Sequence, residues 1–240
     1  MFIVTGASSG IGRGTAAALA RRGIDVLTVA RRAELLTELQ RDNGSNIRPI
    51  VADLSTESGI NELLARAETY GHVDGIVHAA GSLIPPADYG ELRADELTEH
   101  FRIHVATPIE INNRLGALLQ GSRLVYIDSA SASDPRVGWS GYSIVKSAAQ
   151  LAARAATEEL REAQVVRIFP GGVRTQIVQA VLESPNPSPT KTLFTELVDA
   201  GTFAEPNAVG DYIARIALDA TSEQLAEREF WDFNDPTSHL

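Results

Sequence analysis

The chain contains no cysteine, which excludes a disulfide framework, a thiolate nucleophile and a sulfur-bound metal, and suits a reducing compartment. Lysine is almost as scarce: it stands only at Lys146 and Lys191, and arginine supplies every other basic position. Among 240 residues, 31 acidic against 21 basic side chains leave a formal net charge of −10. No basic cluster offsets that charge locally, so the surface repels a phosphate backbone and nucleic acid is not an expected partner. No run approaches the roughly 18 consecutive apolar residues of a membrane span. The opening Met-Phe-Ile-Val-Thr-Gly reads as a core strand entering a turn, not as a charged and apolar leader. No membrane partner and a cytoplasmic location are therefore expected.

What is present is ordinary for a globular protein: 44% hydrophobic and 22% charged residues. The length suits one domain spanning residues 1–240. Short apolar, β-branched runs recur at Phe2–Thr5, Val26–Ala30, Ile50–Ala52, Gly75–His78, Leu124–Ile127, Val165–Phe169 and Phe230–Phe233, with helix-like segments between them. That alternation predicts an α/β fold, a doubly wound parallel sheet of about seven strands flanked by helices, because parallel neighbours need crossover connections. Ligands bind such sheets at the carboxyl ends of the strands, where the winding reverses, so the loops after the first, fourth, fifth and sixth runs are the expected site.

The first run leads into Thr5-Gly6-Ala7-Ser8-Ser9-Gly10-Ile11-Gly12 and then an Ala-rich helical stretch. In this context Gly6, Gly10 and Gly12 allow a sharp turn and close approach to a pyrophosphate. Ser8, Ser9 and Ile11 lie in the same loop, and the helix N-terminus supplies free N–H groups. A Thr-Gly-x-x-x-Gly-x-Gly pattern resembles the glycine motif of the short-chain dehydrogenase/reductase family, whose Rossmann domain binds a nicotinamide dinucleotide. The second run ends in Arg31-Arg32 where an NAD-preferring protein carries a carboxylate. Two guanidiniums there can fork onto a 2′-phosphate, with Arg13 nearby, so NADP(H) is the expected cofactor; a solvated arginine pair is the alternative. Asp53-Leu54 and Ala79-Ala80-Gly81 resemble the family's adenosine-side contacts, although His78-Ala79-Ala80-Gly81 stands where Asn-Asn-Ala-Gly is usual, a loss expected to weaken strand-to-strand support.

Tyr142 and Lys146 are four apart at the start of a helix, on one face. An ammonium there would favour the phenolate and draw its pKa toward the working range. Ser129 ends the fifth run, placed to hydrogen-bond a carbonyl oxygen as charge develops. The resemblance makes Tyr142 the acid that protonates the carbonyl as hydride arrives, and gives Lys146 a second contact with the nicotinamide ribose. Pro170-Gly171-Gly172-Val173-Arg174-Thr175 resembles the family's Pro-Gly motif, in which the Val173 backbone and Thr175 hydroxyl would orient the carboxamide. His104 stands where many members have an Asn in a proton relay to the lysine; it either replaces that Asn or fills the space as a core histidine. His100 and His104 have helical spacing for a metal pair, but no third ligand accompanies them and no metal is expected.

The segment at about 176–205 reads as a substrate lid, with Ile177, Val178, Val181, Leu182, Leu193, Phe194 and Phe203 facing Leu83, Ile84 and Trp139 from other loops; about half of these serve packing alone. The reading as a whole is an NADPH-dependent carbonyl reductase acting on a small ketone or alcohol. Family precedent adds a homotetramer or homodimer built on the helices around 104–119 and 142–162. A non-catalytic NADP(H)-binding sensor stays open as an alternative, as does a cofactor-free lyase of the related halohydrin dehalogenase type, although the latter loses the glycine loop and replaces Lys by Arg.

Overall fold

The computed structural model of the chain describes residues 1–82, 86–185 and 187–240. Leu83 and Ile84, expected beside the cleft, and Asn186 in the proline-rich stretch lie outside the described residues. Seven strands, β1 (Phe2–Thr5), β2 (Val26–Ala30), β3 (Ile47–Val51), β4 (Gly75–His78), β5 (Arg123–Ile127), β6 (Gln164–Phe169) and β7 (Trp231–Asp232), form one sheet in the order β3-β2-β1-β4-β5-β6-β7. Every neighbouring pair is parallel. The helices are α1 (Gly10–Arg21), α2 (Ala33–Asn43), α3 (Glu57–Glu68), α4 (Ala94–Phe101), α5 (Thr107–Leu115), α6 (Ser140–Glu159), α7 (Gln176–Glu183), α8 (Pro189–Asp199), α9 (Pro206–Asp219) and α10 (Ser222–Ala226). A π-helical turn, Arg102–Ala106, joins α4 to α5 without a break.

The two-residue period of a strand divides the core. Phe2 and Val4 of β1 pack on one side with Leu19 of α1 and Ile213 and Ile216 of α9. Ile3, one residue over, packs on the other with Leu63, Ile111 and Leu124. Both faces are covered, so β1 is buried throughout and reads as an unbroken apolar run. Beneath the first face α1 and α9 touch backbone to backbone: a Cβ on Gly14 would lie 2.3 Å from the Pro206 carbonyl oxygen, and one on Gly210 would lie 2.2 Å from the Gly14 carbonyl carbon. That contact seats α1, and therefore the loop before it, against the sheet.

The winding reverses between β1 and β4, and Thr5 ties the two strand ends together. Its hydroxyl accepts the Ala79 N–H (3.1 Å) and the Ala80 N–H (3.0 Å). Gly6 follows at a φ of +67°, where a Cβ would meet the Ala79 carbonyl oxygen at 2.5 Å. The chain can therefore turn and pass β4 only as glycine.

Candidate active site

At the carboxyl ends of the strands a cleft of about 840 Å³ opens, lined by residues from the loops after β1 through β6 and by α7 and α8. This volume falls within the range of cofactor and substrate pockets. Gly6, Ser8, Ser9, Gly10, Ile11, Gly12, Arg31, Arg32, Asp53, Leu54, Ala79, Ala80, Gly81, His104, Ser129, Tyr142, Lys146, Pro170, Gly171, Val173 and Thr175 all reach it. Sites chosen from distant parts of the sequence thus share one cavity.

The N-terminus of α1 opens into one end of the cleft. Ser9 precedes the helix without capping it through its side chain, and no acidic residue sits in the first turn. The Arg32 guanidinium lies over this end: Nη2 donates to Ser8 Oγ (2.8 Å) and Ser9 Oγ (2.7 Å), and Nη1 to Gln176 Oε1 (3.0 Å). Free helix N–H groups, a guanidinium and a first turn without an acidic residue make a site for a phosphate or pyrophosphate. The residues present fit a dinucleotide.

The two arginines separate here. Arg31 is 69% exposed and faces Asp53 at 3.9 Å, at the cleft's outer margin. Arg13, expected near the same phosphate, turns away, donating to the Leu35 carbonyl (2.8 Å) and approaching Asp42 (3.5 Å). The Asp53 carboxylate accepts the Ser55 N–H (3.0 Å) and hydroxyl (2.7 Å), bonds that hold it below the usual carboxylate range against the opposing effect of burial.

His78 departs from the family pattern but does not leave the strand unsupported. Its Nε2 lies 3.0 Å from Asn112 Oδ1, Asn112 donates to the Tyr126 hydroxyl (2.7 Å), and the His78 and Tyr126 rings are 4.9 Å apart. Burial lowers the His78 pKa to about 4, so this bridge between β4, α5 and β5 is a neutral one.

At the other end of the cleft the first turns of α6 carry Tyr142 and Lys146 toward Ser129. The Tyr142 ring stacks on Trp139 (4.5 Å, 12° between planes) and meets the His104 ring edge-on at 6.4 Å. Burial pushes the phenol up to about 12; the Ser129 hydroxyl opposes that rise and the Asp128 charge adds to it. Lys146 Nζ donates to the Ile127 carbonyl oxygen (2.7 Å), and burial brings its pKa down to about 8 despite the Asp128 carboxylate. The expectation that the ammonium draws the phenol toward neutrality is therefore corrected. Desolvation of Tyr142 outweighs it, and the buried phenol keeps its proton.

A charge cluster that sequence reasoning passed over lies beneath this trio. Asp128 and Arg167 are both buried and pair at 2.6 Å; Gln150 donates to both Asp128 oxygens (3.0 and 3.1 Å), the Ser129 N–H donates to Oδ1 (2.8 Å), and Glu229 takes the second guanidinium nitrogen at 3.0 Å. Arg167 Nε is buried without a partner among the described residues. The signal was available: an arginine in the middle of the apolar run Val165-Val166-Arg167-Ile168-Phe169 demands a buried anion.

His100 and His104 converge on Ser82. The Ser82 hydroxyl bonds His100 Nδ1, and the Ser82 N–H donates to His104 Nε2 at 3.1 Å, with its carbonyl oxygen 3.0 Å from the same nitrogen. The pair thus braces a loop. Burial, helped by the nearby Lys146 charge, drives the His104 pKa down to about 3.

This has a consequence for stability. His78 and His104 are protonated far more readily in the unfolded chain, so the unfolded state binds the extra protons between about pH 6.5 and the folded values near 4 and 3. Stability is full above pH 6.5 and is lost as pH falls through that window, with a limiting slope of about 1.4 kcal/mol per pH unit for each histidine. Urea midpoints at pH 7 and pH 5 should differ accordingly, and His104→Asn should flatten the difference.

Of the expected apolar walls, Ile177, Phe194, Phe203 and Trp139 line the cleft. Val178, Val181, Leu182 and Leu193 do not reach it and pack with those four in one apolar cluster. The Thr175 side chain lies close over Gly10, where a Cβ would meet its methyl carbon at 3.3 Å.

A family model described as short chain dehydrogenase matches residues 1–186. Oxidoreductase YvaG of Bacillus subtilis is 29% identical over 201 residues, covering 80% of this chain and 75% of that protein. The crystal structure of the enzyme KRED1-Pglu superposes with a TM-score of 0.86 at 25% identity, covering 93% of this chain and 97% of that one. A short-chain dehydrogenase/reductase structure from Saccharomyces cerevisiae, 22% identical, reaches a TM-score of 0.90 over 99% of this chain and 97% of its own, a likeness of fold. With its glycine turn, parallel seven-stranded sheet and Ser-Tyr-Lys cleft, the chain belongs to the short-chain dehydrogenase family.

Proposed function

We propose that the protein is an NADPH-dependent carbonyl reductase acting on a small ketone, with the reverse alcohol oxidation available to the same residues. The observation that carries this reading is the convergence of Ser129, a proton-bearing Tyr142 and Lys146 in the cavity that also holds the α1 N-terminus. A bound reduced nicotinamide would supply hydride to the carbonyl carbon. Tyr142 donates its proton to the carbonyl oxygen, and Ser129 hydrogen-bonds the same oxygen while charge accumulates there. Lys146, held at the Ile127 carbonyl oxygen beside the phenol, would anchor the ribose side of the dinucleotide. The Val173 backbone and Thr175 hydroxyl would hold the carboxamide and so select the ring face. Asp53, Leu54 and the Ala79-Ala80-Gly81 turn would flank the adenosine. Helices α7 and α8, within residues 176–205, would serve as the lid.

His104 is read as a fixed wall of this site and not as a proton carrier. With a pKa near 3, its protonated form is far out of reach at neutral pH, and its Nε2 is already engaged by Ser82. The retained Ser-Tyr-Lys set favours turnover over the sensor reading. For assembly we propose a homodimer or homotetramer, because Ile109 on α5 and Ile144 and Leu151 on α6 leave apolar side chains in solvent at 42%, 46% and 64% exposure.

The preference for NADP(H) rests on Arg32 more than on Arg31, since Arg32 already spans the two loop hydroxyls. Arg32→Ala should cost the charge-assisted bonds of one phosphate, about 1.5–3 kcal/mol, and lower the ratio of NADPH to NADH efficiency about 10- to 100-fold. Arg31→Ala should lower it less. Steady-state kinetics with both cofactors and one aryl ketone checks this, and an unchanged ratio in both variants would remove the 2′-phosphate assignment.

A further inference from the structure

We propose that the cleft selects substrates carrying an oxyanion, a carboxylate in the simplest case, and that Arg136 is the residue that receives it. This inference rests on the reductase reading and names the substrate class of that site. Four arginines among the described residues, Arg66, Arg136, Arg161 and Arg215, have side chains that take part in no hydrogen bond, ion pair or ring contact. Three of them are exposed to water. Arg136 is half-buried and is the one of the four that lines the cleft. In a chain whose formal charge is −10, arginines elsewhere find carboxylates readily, and a partly desolvated guanidinium without one leaves an anion position open.

Its place suits a substrate contact. The Arg136 carbonyl accepts the N–H of Trp139, the residue stacked on the Tyr142 ring, so the arginine stands one turn before the aromatic platform of the reacting group. The next residue, Val137, is tied to α8 by the Thr190 hydroxyl (2.7 Å). Gly138 passes so close to Ser188 that a Cβ would lie 2.9 Å from the Ser188 Cβ. Arg136 therefore sits at the seam where the loop after β5 meets the 176–205 segment. The apolar walls Ile177, Leu197 and Phe203 lie in the same cavity. Of the acids that line the cavity, Asp53 faces Arg31, Asp128 pairs with Arg167 and Glu99 of α4 acts on His100; none of the three pairs with Arg136. The arrangement reads an apolar body ending in an anionic group that is separate from the carbonyl being reduced. The planar guanidinium accepts a carboxylate through two parallel bonds.

The test uses the full-length protein with NADPH and two oxo acids of different spacing, 2-oxo-4-phenylbutanoate and 4-acetylbenzoate, each beside its methyl ester. The wild type is expected to favour the acid over the ester in kcat/KM for at least one spacing. Arg136→Ala should lower that acid-to-ester ratio at least tenfold, Arg136→Glu should lower it further, and Arg136→Lys should restore part of it. A ratio that moves by less than threefold in Arg136→Ala at both spacings overturns the proposal. Wild-type protein that oxidises NADPH with neither acids nor esters defeats the reductase reading instead. The anion site is then judged by calorimetric titration of 4-acetylbenzoate into NADPH-saturated protein, where binding weakened at least tenfold by Arg136→Ala supports it and equal or absent binding in both proteins overturns it.

Discussion

Replacing Tyr142 by phenylalanine is expected to lower NADPH-linked ketone reduction about a thousandfold while leaving the protein folded and able to bind the dinucleotide. The ring is what the surroundings pack against: Phe keeps the stack on Trp139 and the edge contact with His104, so the cleft retains its shape. What disappears is the proton. A positioned general acid contributes about 10²- to 10⁴-fold, and Ser129 remains to hold the carbonyl oxygen, so residual activity should persist. The pH profile adds a second check. With the phenol near 12 and Lys146 near 8, loss of the Lys146 proton is the event that falls within reach, and reduction should decline as pH rises through about 8. Single-turnover rates for the Phe variant within a few-fold of wild type would reject Tyr142 as the acid.

The second large effect is expected at a residue that touches neither cofactor nor substrate in the proposed mechanism. Arg167→Met should destabilise the protein by about 3–5 kcal/mol, because it leaves the Asp128 carboxylate buried at 5% side-chain exposure without its cation. Gln150 and the Ser129 N–H still hydrogen-bond that carboxylate, but neither carries a compensating charge. Asp128→Asn combined with Arg167→Met removes both charges and should recover much of the loss, giving a coupling energy well above the few tenths of a kcal/mol found for independent sites. Urea unfolding of the two single variants and the double variant measures it. Additive losses would show that the pair is not a unit.

This pair also shows where sequence reading stops. The strands were legible because burial on both faces writes them as apolar runs, and six of the seven expected runs match the structure within one residue at either end. The β3 strand starts earlier, at Ile47, than the run beginning at Ile50, since Pro49 looks like a break; β3 is an edge strand, where a residue without an N–H is tolerated. The glycine turn and the Tyr-Lys spacing were legible because each is a local pattern fixed by backbone geometry. The partners of Arg167, Ser82 and Arg32 were not, because hydrogen bonds between Asp128 and Arg167, or Ser82 and His104, join positions that only the folded sheet brings together. The same holds for the phenol: its acidity follows from desolvation, a property of the whole cavity, and not from the lysine four residues on.

The stacking of Trp139 on Tyr142 carries one more consequence. The chain has two tryptophans. Trp231 is buried in β7 under the Arg228 guanidinium (5.0 Å to the ring) and belongs to the core cluster beneath α1 and α9, not to the cluster that holds Trp139. Trp139 lies between the phenol and Phe194 of α8, with ring centroids 4.5 and 5.1 Å away. Any rearrangement of α8 over the reacting group is thereby registered in the emission of a single indole, and the molecule carries its own optical gauge of closure without an added label.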